Sequence, residues 1–441
     1  WVTTHLRLKS QKSHENPSLS GASSFDEAEK RSDDEKAAGN TLCISKVFED
    51  VWTFFCPSKP CVSLSIEGTA GHSYKEGDGA MFEPKKYCPP EFTRPRFTAA
   101  PDAQYAPAPR DGVAPANFHS TSVFPEYFKL DGQWLLAGES RMDCAAVYED
   151  GRIAVKELRN LRRGDKVILG RTEDASEGIY VHADCFGAPQ RNEDAFAFRG
   201  NRTRETAFSR DYDELISLLR YEREHGKIVW VAGPALAFDE DARRAMAALI
   251  DAGYVHALLA GNALATHDLE AAWLHTALGQ DIYTQRTVHN GHCNHLDLIN
   301  AVRECGSVAQ FIAREHIDNG IIYSCKKNGV PYVLGGSIRD DGPLPPVYAD
   351  VYAAQDAMRA QIRGATTVIC LATMLHSIAV GNMTPAYRVM KDGGIRPVYF
   401  YCVDVSEFTI NKLADRGSLT ARGIVTNVQD FVVTLQKGLG L

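Results

Sequence analysis

Short apolar runs alternate with longer stretches of helical periodicity in the second half of this chain. The apolar runs cover residues 228–232, 255–260, 331–334, 367–372 and 398–403, and the helical stretches cover residues 211–225, 239–252, 294–304, 307–317, 348–362 and 429–439. Short continuous apolar runs are typical of strands buried on both faces, which occur in parallel sheets covered by helices. The pattern therefore predicts an α/β region with a doubly wound, Rossmann-like parallel sheet over residues 186–441.

The segment before this region has a different pattern. Short alternating runs lie at residues 134–137, 144–148, 153–158, 166–169 and 179–182, and glycines at positions 132, 151, 164 and 178 separate them. Alternating apolar and polar positions between turn residues are typical of antiparallel strands with one buried face. We expect a small β domain over residues 118–185, ahead of the α/β region.

The first part of the chain is poor in large apolar residues. Residues 1–45 are rich in Ser, Glu, Lys, Asp and Asn, a composition typical of a disordered tail. Residues 46–117 have little pattern, and the Pro- and Ala-rich stretch at 89–115 predicts an extended linker.

Composition narrows the class of function. The chain has 441 residues, 44% hydrophobic and 24% charged, with a net charge of −8. This balance predicts a soluble globular protein without a nucleic-acid or membrane partner. The longest apolar stretch, residues 368–380, is too short to span a bilayer, and no secretory signal pattern opens the chain. The 11 scattered cysteines are typical of reduced thiols and predict a cytoplasmic protein.

Polar, charged and small residues collect where the predicted strands end. Ligands of doubly wound proteins bind outside the carboxyl ends of the strands, where N–H groups at helix starts hold a pyrophosphate and a carboxylate accepts ribose hydroxyls. The candidates for such a dinucleotide site are Gly233, Asn262, Ala263, Arg339, Asp340, Asp341, Thr373, Met374, Leu375, His376 and Asp404. Asp404 would repel a 2′-phosphate, which favours NAD over NADP. Because the GxGxxG fingerprint is absent, a Rossmann-like layer without a nucleotide stays an open alternative at this point.

Two other groups offer alternative chemistry. His267 and Asp268 lie near the same predicted sheet edge and could act as an acid/base pair, although a neighbouring His–Asp pair is more often structural. His289, His292 and His295 have the short spacing that zinc sites use. One compact loop seldom supplies a full ligand set, so a polar loop before a helix is the preferred interpretation, and no metal is predicted.

Several long motifs in one order carry a family resemblance. They are AGNALATHDLE at 260–270, GSIRDDGPLP at 336–345, ATMLHSIAVGNM at 372–383, and KLADRGS with GIVTNV within 412–428, preceded by STSVFPEYFKLDGQW at 120–134. With them the chain, over residues 114–441, closely resembles the archaeal-type ornithine cyclodeaminase family. The same region forms the C-terminal half of the cyanobacterial arginine dihydrolase/ornithine cyclodeaminases and was long labelled a lysine-oxoglutarate reductase/saccharopine dehydrogenase region.

The resemblance implies an enzyme that binds NAD at these strand ends. Carried over motif by motif, the cofactor contacts would be Asn262, Ala263, Asp341, Thr373, Met374, Leu375, His376, Asp404 and Val405. The implied reaction converts L-ornithine to L-proline and ammonia, with the hydride that NAD removes returned within each turnover. The residues assigned to its acid/base steps are His376, His267, Asp340 and Asp341, with Arg339 as a clamp for the substrate carboxylate. An amino-acid substrate and a homo-oligomeric assembly are the expected partners.

The chain also departs from the family at four points. After AGPA the family continues with a His-Thr-Gly element, whereas residues 236–239 here read Leu-Ala-Phe-Asp. The GNMLPS and VDINP elements are altered at residues 381–386 and 403–407, and the family's N-terminal α/β segment has no counterpart in residues 1–113. Two alternatives therefore stay open: an amino-acid or opine-type dehydrogenase with net NADH formation, and a catalytically silent NAD-binding sensor.

Overall fold

The computed structural model describes residues 82–187, 209–340, 342–406 and 421–441. The predicted tail at residues 1–45 and the candidate residue Asp341 lie outside the described residues. None of the helices in these ranges combines the length and the apolar character that crossing a membrane demands.

The segment before the α/β region forms two antiparallel sheets. A short helix, α1, spans Pro95–Thr98, and the strands are β1 Tyr105–Pro107, β2 Glu126–Leu130, β3 Gln133–Leu136, β4 Ala145–Glu149, β5 Arg152–Lys156, β6 Lys166–Ile168 and β7 Ile179–Val181. One sheet has the order β1-β6-β4-β5 and the other β3-β2-β7. Phe128, Ala146, Val155, Ile168 and Ile179 belong to one buried core to which both sheets contribute.

The predicted linker is wrong for residues 89–115, because this stretch packs into the β region. Strand β1 pairs with β6, and the Phe97 side chain is 1% exposed. The rings of Trp134 and Tyr180 stand edge-on to Phe97, at centroid distances of 5.6 and 4.8 Å. Proline and alanine dominate the composition of the stretch, but Phe97 and three of its alanines are buried, and a compositional argument does not detect this.

The α/β region contains the remaining elements. Its strands are β8 Ile228–Ala232, β9 Ala257–Gly261, β10 Thr276–Ala277, β11 Gln280–Asp281, β12 Tyr332–Gly335, β13 Thr367–Leu371, β14 Tyr387–Val389, β15 Ile395–Pro397, β16 Tyr399–Asp404 and β17 Ala421–Val425. Its helices are α2 Ser209–His225, α3 Glu240–Asp251, α4 Asn262–Leu274, α5 Asn294–Cys305, α6 Val308–Arg314, α7 Ile321–Lys327, α8 Val351–Ile362, α9 Met374–Met383 and α10 Val428–Leu439. Six of the strands form one sheet of order β12-β9-β8-β13-β16-β17, and all its neighbours are parallel.

This sheet confirms the predicted fold class. Counted along the chain, its six strands have the order 3-2-1-4-5-6 of the doubly wound dinucleotide-binding fold. Alternate residues of β8 point to opposite faces: Trp230 joins the core with α3, α7 and α10, and Val231 joins the core with α8 and α9. Helices therefore cover both faces, which is why the central strands β8, β9 and β13 are nearly continuous apolar runs.

Buried ion pairs join the β region to helix α8. The Oε1 atom of Glu157 accepts hydrogen bonds from the guanidinium groups of both Arg141 and Arg359. Arg359 also lies 3.6 Å from the half-exposed carboxylate of Glu139, and all three of the central side chains are at least 90% buried. These contacts connect the β region to α8, the helix that follows the loop after β12.

Candidate functional site

The strand order reverses between β8 and β13, and the loops that leave these two strands touch. The backbone N–H of Gly233, directly after β8, donates to the carbonyl oxygen of Leu371 at 2.8 Å. A Cβ atom on Gly233 would lie 2.0 Å from the carbonyl oxygen of Ala372, so this position accepts only glycine without movement of the backbone. Ala372 has a φ of 44°, a left-handed conformation that non-glycine residues seldom adopt. Strained residues of this kind concentrate at ligand sites.

Two helices begin at this edge of the sheet. Helix α4 starts at Asn262 and Ala263 directly after β9, and helix α9 starts at Met374 after Thr373. Among the described residues neither helix has a side-chain cap on its first N–H groups. Free N–H groups and the helix dipole together favour an anion, and a pyrophosphate is one that such ends bind.

Apolar side chains surround the start of α9. Met374 is 46% exposed and Leu375 is 76% exposed, although both belong to one of the least polar helices of the chain. Large exposed apolar side chains beside free N–H groups are typical of a surface that a ligand covers.

His376 lies between the ends of β9 and β12. A Cβ atom on Gly261 would be 3.0 Å from His376 Cε1, and one on Gly335 would be 3.5 Å from Nε2, so the imidazole rests against both glycines. Its Nδ1 atom is 3.3 Å from the hydroxyl oxygen of Thr373. Burial lowers the pKa of His376, which keeps the ring neutral at physiological pH. A neutral imidazole can accept a proton at its free nitrogen.

The loop after β12 brings a carboxylate to the same place. Asp340 accepts hydrogen bonds from the side-chain amide of Asn262 at 3.3 Å and from the backbone N–H of Ser337 at 2.9 Å. Arg339 is exposed beside it, and Ile338 is fully exposed. The structure thus brings Asn262, Asp340 and His376 together around the ends of β9 and β12.

Asp404 ends strand β16, next to β13. Residue pairing places Val403 opposite Leu371, so Asp404 lies beside the loop that contains Ala372 and Thr373. Its Oδ1 atom accepts the backbone N–H of Ser406 at 2.8 Å, and Val405 is 68% exposed. A carboxylate at a strand end near the starts of α4 and α9 has the chemistry that a ribose diol requires.

His267 is held in a different environment, inside α4. Its Nδ1 atom is 2.8 Å from the carboxylate of Glu270, which also accepts the Thr276 hydroxyl at 2.8 Å. Its ring contacts Phe238 at 5.3 Å and His295 at 6.1 Å. No contact among the described residues joins His267 to Asp340 or His376. Glu270 is fully buried and is not one of the residues that the sequence predicts for the site. Its spacing of three residues from His267 puts both side chains on one helix face, and this spacing is the sequence signal that indicates the pair.

Asp268 has a structural environment. Its carboxylate pairs with the buried Arg243 at 3.0 Å and accepts the backbone N–H groups of Ile321 and Ile322 at the start of α7. The histidines at 289, 292 and 295 do not form a metal site. Within the described ranges, no group of three or more His, Cys, Asp or Glu side chains is arranged so that it could hold a metal ion.

Comparison with known proteins identifies relatives across the whole of this site. The family model "Arginine dihydrolase ArgZ-like, C-terminal, Rossmann fold" matches residues 214–435. The chain is 39% identical over 344 residues to the ornithine cyclodeaminase of Methanopyrus kandleri. The alignment covers 77% of this chain and 78% of the relative. It is 37% identical over 344 residues to the bifunctional arginine dihydrolase/ornithine cyclodeaminase AgrE of Nostoc sp., of which it covers 47%.

A solved archaeal structure supports the same family. A conserved LOR/SDH protein from Methanococcus maripaludis S2 aligns with a TM-score of 0.69 and 35% sequence identity, covering 77% of this chain and 98% of that chain. A structure of AgrE in ternary complex with ornithine and NAD+ aligns with 35% identity and a TM-score of 0.49, covering 77% of this chain and 46% of that chain.

Proposed function

This chain belongs to the family of the archaeal ornithine cyclodeaminases and the ArgZ-like C-terminal region, and on that premise we propose that it converts L-ornithine to L-proline and ammonia with NAD as its cofactor. The observation that carries the proposal is the crevice between β8 and β13, where two uncapped helix starts meet inside a region 39% identical to a named ornithine cyclodeaminase.

The residues at the crevice fit NAD. The first N–H groups of α4, at Asn262 and Ala263, and of α9, at residues 374–376, would hold the phosphates, because they lack other partners among the described residues. Asp404 and the neighbouring Val405 would bind the adenosine ribose. When bound, NAD supplies a reversible oxidation at the substrate α-carbon, so that no external oxidant is consumed.

The remaining chemistry is proton transfer and substrate orientation. Ring closure requires one amine of ornithine to be neutral, and the amine that leaves must gain a proton. His376 is suited to this exchange, because its lowered pKa keeps the ring neutral and its Nδ1 atom is engaged with Thr373, leaving Nε2 for the substrate. Asp340, with Asp341 next to it in the chain, would bind the cationic amine, and the exposed Arg339 would bind the carboxylate.

Exclusion of water is a further requirement of a reaction that returns to its starting oxidation state. Met374, Leu375 and Ile338 present apolar side chains around the crevice and would cover the reacting atoms once substrate is bound. The same surfaces would slow the escape of a cyclic imine before it is reduced to proline.

One observation favours a second candidate, a catalytically silent NAD-binding protein. Phe238 lies in the segment where the family has its His-Thr-Gly element, and its ring packs on His267 at 5.3 Å. A phenyl ring cannot relay a proton to the buried His267–Glu270 pair. If the His267–Glu270 pair takes part in the reaction of the relatives, then a phenyl ring in place of their polar element would abolish turnover in this chain. NAD binding would remain intact.

The test is turnover of L-ornithine labelled with 15N at the α-amine, with NAD present and NADH followed by absorbance. We expect unlabelled proline and labelled ammonia in equal amounts, without lasting NADH, because the δ-amine closes the ring and the α-amine leaves. Asp340→Asn and His376→Gln serve as matched variants. Lasting NADH would identify a dehydrogenase instead, and NAD binding without any product would identify the silent protein.

A further inference from the structure

We infer that Asn262 is a positioning residue: its side-chain amide fixes the loop between β12 and α8 and sets the place of the Asp340 carboxylate. This inference deepens the proposed function and rests on it, since it gives the loop a part in that reaction. This positioning role differs from that of a cofactor contact. A side chain that contacts NAD would direct its amide atoms at the ligand, and not at the loop.

The loop after β12 leaves the sheet and returns to it, and backbone hydrogen bonds join its two ends. The chain leaves at Gly336 and returns at Tyr348, where Gly336 N–H donates to the Tyr348 carbonyl and Tyr348 N–H donates to the Leu334 carbonyl, both at 2.9 Å. These two bonds hold the base of the loop but leave its distal part, which carries the candidate charged residues, to be fixed by other contacts.

Asn262 supplies two of the contacts for the distal part from the neighbouring strand end, in addition to the exposed Arg303 guanidinium, which donates to the Pro343 carbonyl at 3.2 Å. The Nδ2 atom of Asn262 donates to Asp340 at 3.3 Å, and its Oδ1 accepts the backbone N–H of Leu344 at 3.1 Å. One amide therefore anchors the loop at two points four residues apart. Asn262 is 7% exposed and Leu344 is 1% exposed, so the bond between them is shielded from competing water, and the bond to Asp340 is partly buried.

The orientation of the amide is specified as well. The Thr266 hydroxyl, one turn along α4, donates to Oδ1 at 3.3 Å, so the oxygen faces Thr266 and Leu344 while the NH2 group faces Asp340. Because the other oxygen of Asp340 takes the Ser337 N–H at 2.9 Å, both carboxylate oxygens have fixed directions. Only asparagine combines an acceptor for Leu344 with a donor for Asp340 at this length; aspartate retains the first bond and turns the second into a repulsion.

These requirements define two informative variants and one control. Asn262→Asp retains the bond to Leu344 and sets two carboxylates against each other. Asn262→Ala removes both anchors. Thr266→Val removes only the bond that orients the amide and leaves both anchors available, so it is the matched control on the same helix. Circular dichroism of each variant establishes that it is folded.

The first readout is hydrogen exchange at the Leu344 amide, which does not depend on any activity. We expect exchange at least tenfold faster in Asn262→Ala, because a buried N–H loses its acceptor, and a change below threefold in Asn262→Asp and Thr266→Val. Unchanged protection of Leu344 in Asn262→Ala would overturn the inference. This result stands even if the wild-type protein proves inactive on ornithine, which would refute the proposed function alone.

The second readout separates positioning from cofactor binding. Among the described residues, the titratable groups that face the amide are Asp340 and, across Gly261, His376. The added carboxylate of Asn262→Asp favours the protonated form of His376 across Gly261, so the acidic limb of the kcat profile that His376 sets should move upward by about one pH unit. NAD affinity, titrated directly, should change less than threefold, because the backbone N–H groups of α4 remain. A large loss of NAD affinity with an unmoved pH profile would show that Asn262 is a cofactor contact instead.

Discussion

Replacement of Glu157 by glutamine tests how strongly the ion pairs hold the β region to the α/β region. Glu157 lies between two buried guanidinium groups, those of Arg141 and Arg359, and its own side chain is 10% exposed. Glutamine has the same size but no charge. The variant therefore leaves two buried cations facing each other without the carboxylate that neutralises them.

The magnitude follows from the pKa of Glu157. Burial by itself would raise this pKa, but the hydrogen bond to its own backbone and the two arginines outweigh burial and lower it from 4.5 to about 2. A difference of about 2.5 pKa units at about 1.4 kcal/mol each corresponds to roughly 3–4 kcal/mol of stability from the ionised form. Measured losses on breaking buried ion pairs, about 3–5 kcal/mol, are of the same size.

The sign of the pH dependence is fixed by the direction of this shift. Because the pKa is lowered in the folded state, the contribution is complete above the ordinary value and is lost as the pH falls from 4.5 towards 2. Between pH 7 and pH 3.5 the difference between wild type and Glu157→Gln should shrink by about 1 kcal/mol.

The assay is urea unfolding at several pH values, followed by far-ultraviolet circular dichroism. Glu149→Gln is the matched control, because Glu149 pairs with Lys156 in the same β sheet but its side chain is 43% exposed. An exposed pair of this kind contributes about 0–1 kcal/mol. A loss for Glu157→Gln no larger than that of the control at pH 7, or a difference that grows on acidification, would refute the reasoning.

Three further predictions concern the site and its support. Gly233→Ala should weaken NAD binding at least tenfold in a direct titration, because its Cβ would meet a carbonyl oxygen at 2.0 Å; Gly138→Ala, which meets nothing within 4 Å, should not. Asp268→Asn should lower the free energy of unfolding in urea by about 1.5–3 kcal/mol, because it neutralises one of the two carboxylates that pair with the buried Arg243, the other being that of Glu240; a smaller loss than for an exposed pair would contradict this. The acidic limb of activity should lie below the ordinary histidine pKa and vanish in His376→Gln, since burial lowers the pKa of His376; a limb above that value would exclude His376 as the base.

Much of the α/β sheet could be predicted from sequence because its strands are buried on both faces. The predicted strand at residues 228–232 matches β8 at both ends, and the prediction at 367–372 exceeds β13 by one residue. Continuous apolar runs between helical stretches are a local property of the chain, and they persist whatever the order of the strands.

Helix α4 shows where such patterns stop being informative. It was not predicted, because polar and charged residues occur on every side of it: Asn262, Thr266, His267, Asp268 and Glu270 are all buried. An amphipathic pattern requires one face in water, and α4 has little exposed surface. Each of these polar groups instead meets a partner from another element or from its own helix, which only the folded chain supplies.

The sequence by itself determined the family, the class of sheet and the loops in which chemistry is expected, since all three follow from runs of neighbouring residues. The tertiary structure alone decided that the loops after β8 and β13 touch, that Asn262 holds the loop of Asp340, and that His267 pairs with Glu270 away from His376. The reason is physical: burial of apolar runs is specified locally, whereas a hydrogen bond between residues 78 positions apart exists only after the strands have taken their order.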